Sequence, residues 1–155
     1  MNRGTIPISA EVVKSHGTRR SLKKHEILRG HKQFNRVITG GRSLLGELLR
    51  CFVSASGYGE DPGRDIVKVG FTVSRKIRRS TVRNRLKRIM REVYRMHRER
   101  LHQLAIRKSQ RLELVLLYRG NSDADPKKVP YELIEKDFLR IVDRLERGLD
   151  GAGFV

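Results

Sequence analysis

The apolar pattern of this chain changes its period within one short stretch, from Ile66 to Val93. Across Ile66–Ser74, apolar residues alternate with small or polar ones, which is the pattern of a strand with one buried face. The apolar residues then recur at helical spacing, as Val82, Leu86, Ile89 and Val93. The stretch therefore predicts a strand followed by a long helix that begins near Thr81, with the hydroxyl of Ser80 or Thr81 capping its first turn.

The start of this helix carries a dense positive charge. Nine of the seventeen residues from Arg75 to Arg91 are Lys or Arg, and none is Asp or Glu. The formal charge of the whole chain is +18. Such a segment must be solvated or neutralised by a polyanion, and a phosphate backbone is the commonest polyanion. The composition therefore indicates a nucleic-acid partner.

A membrane partner is not expected. No apolar run approaches the roughly 18 residues that a membrane span needs. Residues 1–24 also lack the apolar segment of a secretory signal, so we predict a cytoplasmic protein with no membrane contact. Residues 1–24 are predicted to form a disordered basic arm, 25–147 a single nucleic-acid-binding domain, and 148–155 a frayed tail.

The remaining elements follow from periodicity and turn residues. A short helix is marked by Leu28, Phe34, Val37 and Ile38, and Gly40 and Gly41 should close it in the left-handed conformation. Strands are predicted at Leu48–Ala55 and Leu112–Tyr118, with a loop at Gly57–Asp65. Pro130 should start a last helix that packs on the sheet through Ile134, Phe138, Ile141 and Leu145.

This order of elements predicts an α/β (α+β) two-layer sandwich, in which helices pack on a small mixed sheet. The strand–helix–strand unit in the middle would ordinarily form a right-handed parallel crossover.

No catalytic constellation is visible in the sequence. The acidic residues lie mainly in two loops and in the last helix, where Glu135, Asp137 and Asp143 are predicted to form a solvated face. His97 and His102 are five residues apart, which fits a single metal ion poorly. The only cysteine, Cys51, is predicted to be a buried strand thiol. We therefore predict neither catalytic residues nor a metal site on the protein.

Residues suited to binding RNA are plentiful. Phe34 and Phe52 could stack on bases, although core packing explains each of them at least as well. The small, polar face of the Ile66–Ser74 strand leaves room for a ligand backbone, and it fits a half-exposed strand equally well. The candidate RNA-binding residues offer phosphate contacts and one amide; they are Arg75, Lys76, Arg83, Asn84, Arg85, Lys87, Arg88 and Arg91.

The motif V-S-R-K at 73–76, followed by R-N-R-L-K-R-I-M-R-E at 83–92, resembles the signature of the bacterial ribonuclease P protein component. The resemblance extends from about Leu28 to Leu145. It includes the spacing of Leu28, Phe34 and Val37 and the turn at Gly41 and Ser43.

The resemblance implies more than the spacing does. Members of this family pair with a catalytic RNA, which removes the 5′ leader of precursor tRNA and holds most of the Mg²⁺. The protein would be a subunit of an endoribonuclease whose catalytic centre lies on the RNA. The R-N-R residues would face the catalytic RNA, and a cleft lined by Phe34, Ile38 and Phe52 would bind the leader. The family fold has a left-handed βαβ crossover, which replaces our right-handed default.

The chain departs from the family pattern at two positions. Ile38 stands where a second aromatic residue is frequent, which would weaken stacking. Arg78 stands where Gly is frequent, so the turn that the family forms before the basic helix is less strongly predicted here.

A structural RNA-binding protein, such as a small ribosomal protein, would share the charge and the sandwich but not the motif spacing. A DNA-binding regulator is disfavoured because the chain lacks a second short helix after a tight turn and a zipper for dimerisation.

Overall fold

The structure, a computed structural model, describes residues 21–58, 66–120 and 125–150. Most of the predicted arm, residues 59–65 of the Gly57–Asp65 loop and the end of the predicted tail lie outside these residues. A short 3-10 helix is followed by three helices and four strands. In chain order they are the 3-10 helix Lys24–Glu26, α1 (Gly30–Gly40), β1 (Arg42–Leu45), β2 (Leu49–Gly57), β3 (Val67–Val73), α2 (Ser80–Lys108), β4 (Gln110–Tyr118) and α3 (Tyr131–Asp150).

The four strands form one mixed sheet in the order β1-β2-β4-β3. Strand β2 is antiparallel to both β1 and β4, whereas β3 is parallel to β4. Cys51 on β2 and Phe71 on β3 both pair with Leu116 on β4. The predicted fold class and the predicted parallel β3–α2–β4 connection are therefore confirmed. The left-handed sense of that connection stays a prediction.

The main core lies between one face of the sheet and the helices α2 and α3. Helix α3 buries all four residues of its predicted apolar stripe. Helix α2 buries Val82, Leu86 and Val93 as predicted, while Met90 and Tyr94 are more deeply buried than Ile89. Leu22, which was predicted to lie in the arm, also packs against this core. The sheet residues that fill this core include Cys51, Val69, Phe71, Leu114 and Leu116.

Helix α1 covers part of the opposite face. Leu28, Val37 and Val115 form a small second core there, and Phe34, Ile38 and Phe52 pack against its margin. Because side chains alternate along a strand, Val115 faces α1 while its neighbours Leu114 and Leu116 face the main core. The sheet therefore has one fully covered face and one partly open face.

The structure differs from the prediction at β1, at the end of α1 and at the start of α2. The R-S-L-L segment was not predicted as a strand, yet it pairs with β2 as the edge strand β1. Among the described glycines only Gly30 and Gly120 have positive φ, so Gly41 does not end α1 in the left-handed conformation. Gly41 is needed for space instead, because an added Cβ would lie 2.5 Å from the carbonyl oxygen of Val37.

The third correction concerns the start of α2. Arg79 occupies the N-cap position and makes no side-chain capping bond. Ser80 and Thr81 already lie inside the helix, so neither is the N-cap residue.

The acids of α3 form only part of the solvated face that was predicted, because Asp143 is exposed whereas Asp137 is buried and Glu135 is half-buried. Asp137 is only 3% exposed, and its carboxylate accepts hydrogen bonds from the backbone N–H groups of Glu47, Leu48 and Leu49 at 2.8–3.0 Å. Glu135 pairs with His97 at 2.7 Å. Asp137 therefore belongs to the interior, where it fixes the turn between β1 and β2.

Cys51 is fully buried on β2, as predicted. Burial raises the pKa of its thiol to about 12, so the thiolate is not formed at neutral pH.

Candidate nucleic-acid interface

The first half of α2 and the segment before it present an exposed row of cations. We call Arg75, Lys76, Asn84, Lys87, Arg88 and Arg91 the α2 basic surface. All six are exposed except Lys87, which is half-buried. Within the described part of the chain, none of the five cations forms an ion pair with Asp or Glu. Their charge is therefore not compensated by described acids of the protein itself.

Arg83 lies in the same motif but has partners within the chain. Its guanidinium donates hydrogen bonds to the carbonyl oxygens of Ser74 at 2.9 Å and Ile77 at 3.0 Å. These bonds tie the start of α2 to the segment that leaves β3. Arg83 therefore helps to position Arg75 and Lys76, which lie between the two acceptor residues.

Arg85 has a comparable position on the other side of the helix. It donates to the carbonyl oxygen of Val129 at 2.8 Å and, at 3.4 Å, to that of Pro126. Both acceptors precede α3. Arg85 therefore joins the basic helix to the segment that leads into α3.

The turn before α2 forms without a glycine at residue 78. Ile77 N–H donates to the carbonyl oxygen of Ser74 at 3.1 Å. Among the described non-glycine residues only Ser109 has a positive φ, so Arg78 occupies an ordinary backbone conformation. The replacement of the frequent Gly is therefore tolerated, and it adds one exposed cation.

Arg91 ends the α2 basic surface above the sheet. Its guanidinium carbon lies 5.6 Å from the centroid of the Phe71 ring, a distance suited to a cation–π contact. The stem of the side chain is thus supported while its charge stays exposed.

Beyond Arg91, three arginines of α2 have acidic partners. Arg95 pairs with Glu92, and Arg98 pairs with Glu26 at 3.1 Å. Arg100 pairs with both Asp143 and Glu146 of α3. The hydrogen bond from Arg95 also lowers the pKa of the Glu92 carboxyl. This half of the helix is held to its neighbours and is not a second free basic surface.

Phe34, Ile38 and Phe52 lie beside α1, at the margin of the small second core on the open sheet face, and all three are half-buried. We call this region the groove. They pack on the small core and also keep part of their surface accessible, so packing and base contact are compatible roles. The structure brings together the three residues that the resemblance predicts for the leader cleft.

The floor of this groove is closed at Gly70. An added Cβ there would lie 2.4 Å from Cζ of Phe34, so the ring occupies the space above the glycine. The small residue at this position therefore accommodates Phe34. It does not leave an open path for a ligand backbone.

Sequence reasoning missed two arginines beside the groove. Arg50 lies with its guanidinium carbon 5.1 Å from the centroid of the Phe52 ring. Arg36 on α1 pairs with Glu113 on β4 at 2.7 Å and so fixes α1 to the sheet. The alternation of Arg50, Phe52 and Ser54 along β2 is the signal that places Arg50 on the groove side.

Within the described ranges, no group of three or more His, Cys, Asp or Glu side chains is arranged to hold a metal ion. None of the helices in these ranges combines the length and the apolarity that crossing a membrane requires.

An uncompensated basic helix beside an aromatic groove, on a small α+β domain, is typical of RNA-binding proteins. The family model described as Ribonuclease P matches residues 22–146. The chain therefore belongs to the ribonuclease P protein family, whose members act in tRNA processing as parts of a ribonucleoprotein nuclease.

Two relatives illustrate the similarity. The ribonuclease P protein component of Chlorobium phaeobacteroides is 31% identical over 131 residues, which cover 81% of this chain and 88% of the relative. That of Chlorobaculum tepidum is 37% identical over 111 residues, which cover 68% of this chain and 72% of the relative.

The fold is shared with solved structures. The ribonuclease P protein from Thermotoga maritima superposes with a TM-score of 0.59 at 24% identity, over 77% of this chain and 96% of that one. The Staphylococcus aureus protein gives a TM-score of 0.57 at 16% identity, over 77% and 94% of the two chains.

Proposed function

We propose that this chain is the protein subunit of ribonuclease P. In this role it binds the catalytic RNA through the α2 basic surface and holds the 5′ leader of precursor tRNA in the groove beside α1. The RNA supplies the catalytic centre and holds most of the Mg²⁺. The protein binds and orients the two RNAs, and so assists the endonucleolytic cut that produces the mature 5′ end of the tRNA.

One observation carries the proposal. Arg75, Lys76, Lys87, Arg88 and Arg91 have no acidic partner among the described residues, although the other half of the same helix is extensively paired. Leaving five neighbouring cations uncompensated costs repulsion in the free protein. A phosphate backbone removes that cost when it binds.

The groove suits a single-stranded leader. Phe34 and Phe52 each keep a partly accessible ring, and the Arg50 guanidinium lies over Phe52. Aromatic rings stack on bases regardless of sequence, and a guanidinium can meet the adjoining phosphate. A leader of any sequence can therefore be held in this way.

The proposal is tested by cleavage of a 5′-extended precursor tRNA at low Mg²⁺. The cognate catalytic RNA alone, the protein alone and both together are compared. We expect cleavage at the mature 5′ end only, or much faster, when both are present. Tight RNA binding without any stimulation would contradict the proposal and would favour a structural RNA-binding protein.

The leader contact has its own test. Phe34→Ala should weaken binding of leader-bearing precursor more than binding of mature tRNA, by about 1–3 kcal/mol if a base stacks on the ring. Phe34→Leu is the matched control, because it retains most of the apolar packing above Gly70 while removing the aromatic face. Equal losses for both ligands would show that Phe34 serves packing alone.

A further inference from the structure

A second group of exposed arginines surrounds the turn between β1 and β2. It comprises Arg119, which follows β4, together with Arg140 and Arg144 on α3; we call these three residues the hairpin arginine patch. All three are exposed. They come from two separate segments of the chain, and neither the sequence motif nor the α2 basic surface includes any of them.

The three guanidinium groups are anchored on the same short turn. Arg144 donates to the carbonyl oxygen of Leu45 at 2.6 Å, and Arg119 donates to that of Gly46 at 2.8 Å. Arg140 pairs with the carboxylate of Glu47 at 2.7 Å. A guanidinium has five N–H donors, so each group keeps donors for an outside acceptor while its position is held.

The turn beneath the patch is itself fixed. The buried carboxylate of Asp137 accepts hydrogen bonds from the backbone N–H groups of residues 47, 48 and 49. Its negative charge is therefore stabilised by the backbone inside the protein. Glu47 is therefore the one described carboxylate that contacts a guanidinium of the patch. Three exposed cations thus share one described acidic partner, Glu47.

The patch lies near the α2 basic surface. The N–H of Ser74, just before Arg75, donates to the carbonyl oxygen of Tyr118, and the N–H of Arg119 donates to that of Leu48. Two strand steps of about 4.8 Å therefore separate the end of β3 from the β1–β2 turn, or roughly 10 Å. One continuous backbone could contact both regions.

We infer that the hairpin arginine patch binds phosphate groups of an RNA backbone, as a contact region separate from the α2 basic surface. This inference rests on the proposed function. Arg is the residue best suited to such contacts, because its planar donor fork matches phosphate oxygens. Leu45, which is 51% exposed beside Arg144, adds an apolar surface for a sugar or base edge.

The RNA is either the catalytic RNA or the precursor tRNA, and both offer the same phosphate chemistry. The test uses the triple variant Arg119→Gln, Arg140→Gln, Arg144→Gln. Its affinity for the catalytic RNA alone is measured across a salt series, and the affinity of the assembled holoenzyme for precursor tRNA is measured in the same way. The RNA for which the affinity of the variant changes is the RNA that the patch contacts.

If three phosphates are contacted, the slope of log K against log salt should become shallower by roughly 2–3 in one arm. Arg107→Gln is the control, because Arg107 is an exposed arginine at the C-terminal end of α2, whereas the α2 basic surface lies at the start of that helix. It should leave both slopes unchanged. A triple variant with wild-type affinity and slope in both arms would overturn the inference.

Glu47→Gln provides a test of opposite sign. It removes the exposed acid of the patch and frees Arg140, so RNA should bind more tightly at low salt. The buried bonds of Asp137 go to the backbone N–H of residue 47 and are retained. If the triple variant fails to fold, this single variant still decides: unchanged or weaker binding would overturn the inference.

The two proposals fail in different ways. Wild-type protein that neither binds the catalytic RNA nor stimulates cleavage would overturn the proposed function, and with it the present inference. Stimulation by the wild type combined with no change in either patch variant would overturn the inference alone.

Discussion

The two halves of α2 use the same residue type for opposite purposes. From residue 80 to 91 the arginines and lysines either face solvent or donate to backbone carbonyl oxygens, and no Asp or Glu stands among them. From 92 to 108 the helix contains its own acids and also meets those of the 3-10 helix and α3. The first half is available to a partner, whereas the second is part of the fold.

The difference teaches that neighbouring acids, more than the density of arginine, decide what a basic helix can bind. An arginine paired with a carboxylate carries little net charge to an RNA backbone. One without such a partner carries its full charge, and releases a counterion when phosphate binds. The two halves should therefore respond differently to the same substitution.

The largest effect is expected from breaking the buried pair in the second half. The side chains of Arg98 and Glu26 are 12% and 7% exposed. Arg98→Ala should lower the free energy of unfolding by about 3–5 kcal/mol, because Glu26 would remain buried without this partner. Denaturant unfolding measures the loss. Adding Glu26→Gln should restore part of it, and a loss below about 1 kcal/mol would contradict the assignment.

The corresponding change in the first half should act on RNA and spare the fold. Arg88→Gln combined with Arg91→Gln should weaken binding to the catalytic RNA about 10- to 50-fold at low salt and reduce the salt slope by about 1.4–1.8. The free energy of unfolding should fall by no more than about 1 kcal/mol, which allows for the contact of Arg91 with Phe71. A salt slope equal to that of wild type would refute the distinction between the halves.

A paired but more exposed arginine provides the intermediate case. Arg100 bonds to Asp143 and Glu146, and its side chain is 38% exposed. Arg100→Gln should lower the free energy of unfolding by under about 1 kcal/mol, because exposed ion pairs contribute little. It removes a positive charge just as Arg88→Gln does. A salt titration should nevertheless show an unchanged slope, and a shallower slope would mean that paired arginines also meet RNA.

The smallest effect concerns pH and His102, in the second half of the helix. Burial lowers the pKa of its imidazole, an effect that Arg98 and His25 reinforce and Glu99 and Glu26 oppose. Because the folded pKa lies below the ordinary value, His102 favours the folded state fully above about pH 6.5. This contribution is lost as the pH falls through the folded pKa.

His102→Gln should therefore reduce the acid sensitivity of unfolding between about pH 7 and pH 5. Unfolding curves at several pH values for both proteins provide the measurement. Identical pH dependence in the two proteins would show that His102 does not cause the acid sensitivity of unfolding.

The strongly periodic elements could be predicted from sequence, and the short ones could not. Strand β3 and the apolar stripe of α3 each repeat a clear pattern, so burial of one face follows directly. Strand β1 has four residues and no alternation. It is a strand only because β2 lies beside it.

At the candidate site, the sequence shows which residue types are present, but it does not show which groups they contact in the folded protein. The motif points to the start of α2, yet nothing local indicates that Arg85 would donate to Val129, 44 positions away. Asp137 has the same property, because the N–H groups it accepts lie 88–90 positions earlier in the chain. Contacts of this kind depend on the tertiary arrangement, which a single periodic pattern does not encode.

The strand order has a consequence for synthesis of the protein. Strand β4 lies between β2 and β3, although it is the last strand to be made. At about 5–20 residues per second, the 45 positions from Val73 to Tyr118 take the ribosome roughly 2–9 s. During that interval β3 has no partner strand, and the cationic start of α2 is synthesised before the strand that completes the sheet. The segment best suited to bind RNA is thus translated, next to ribosomal RNA, before its own fold can orient it.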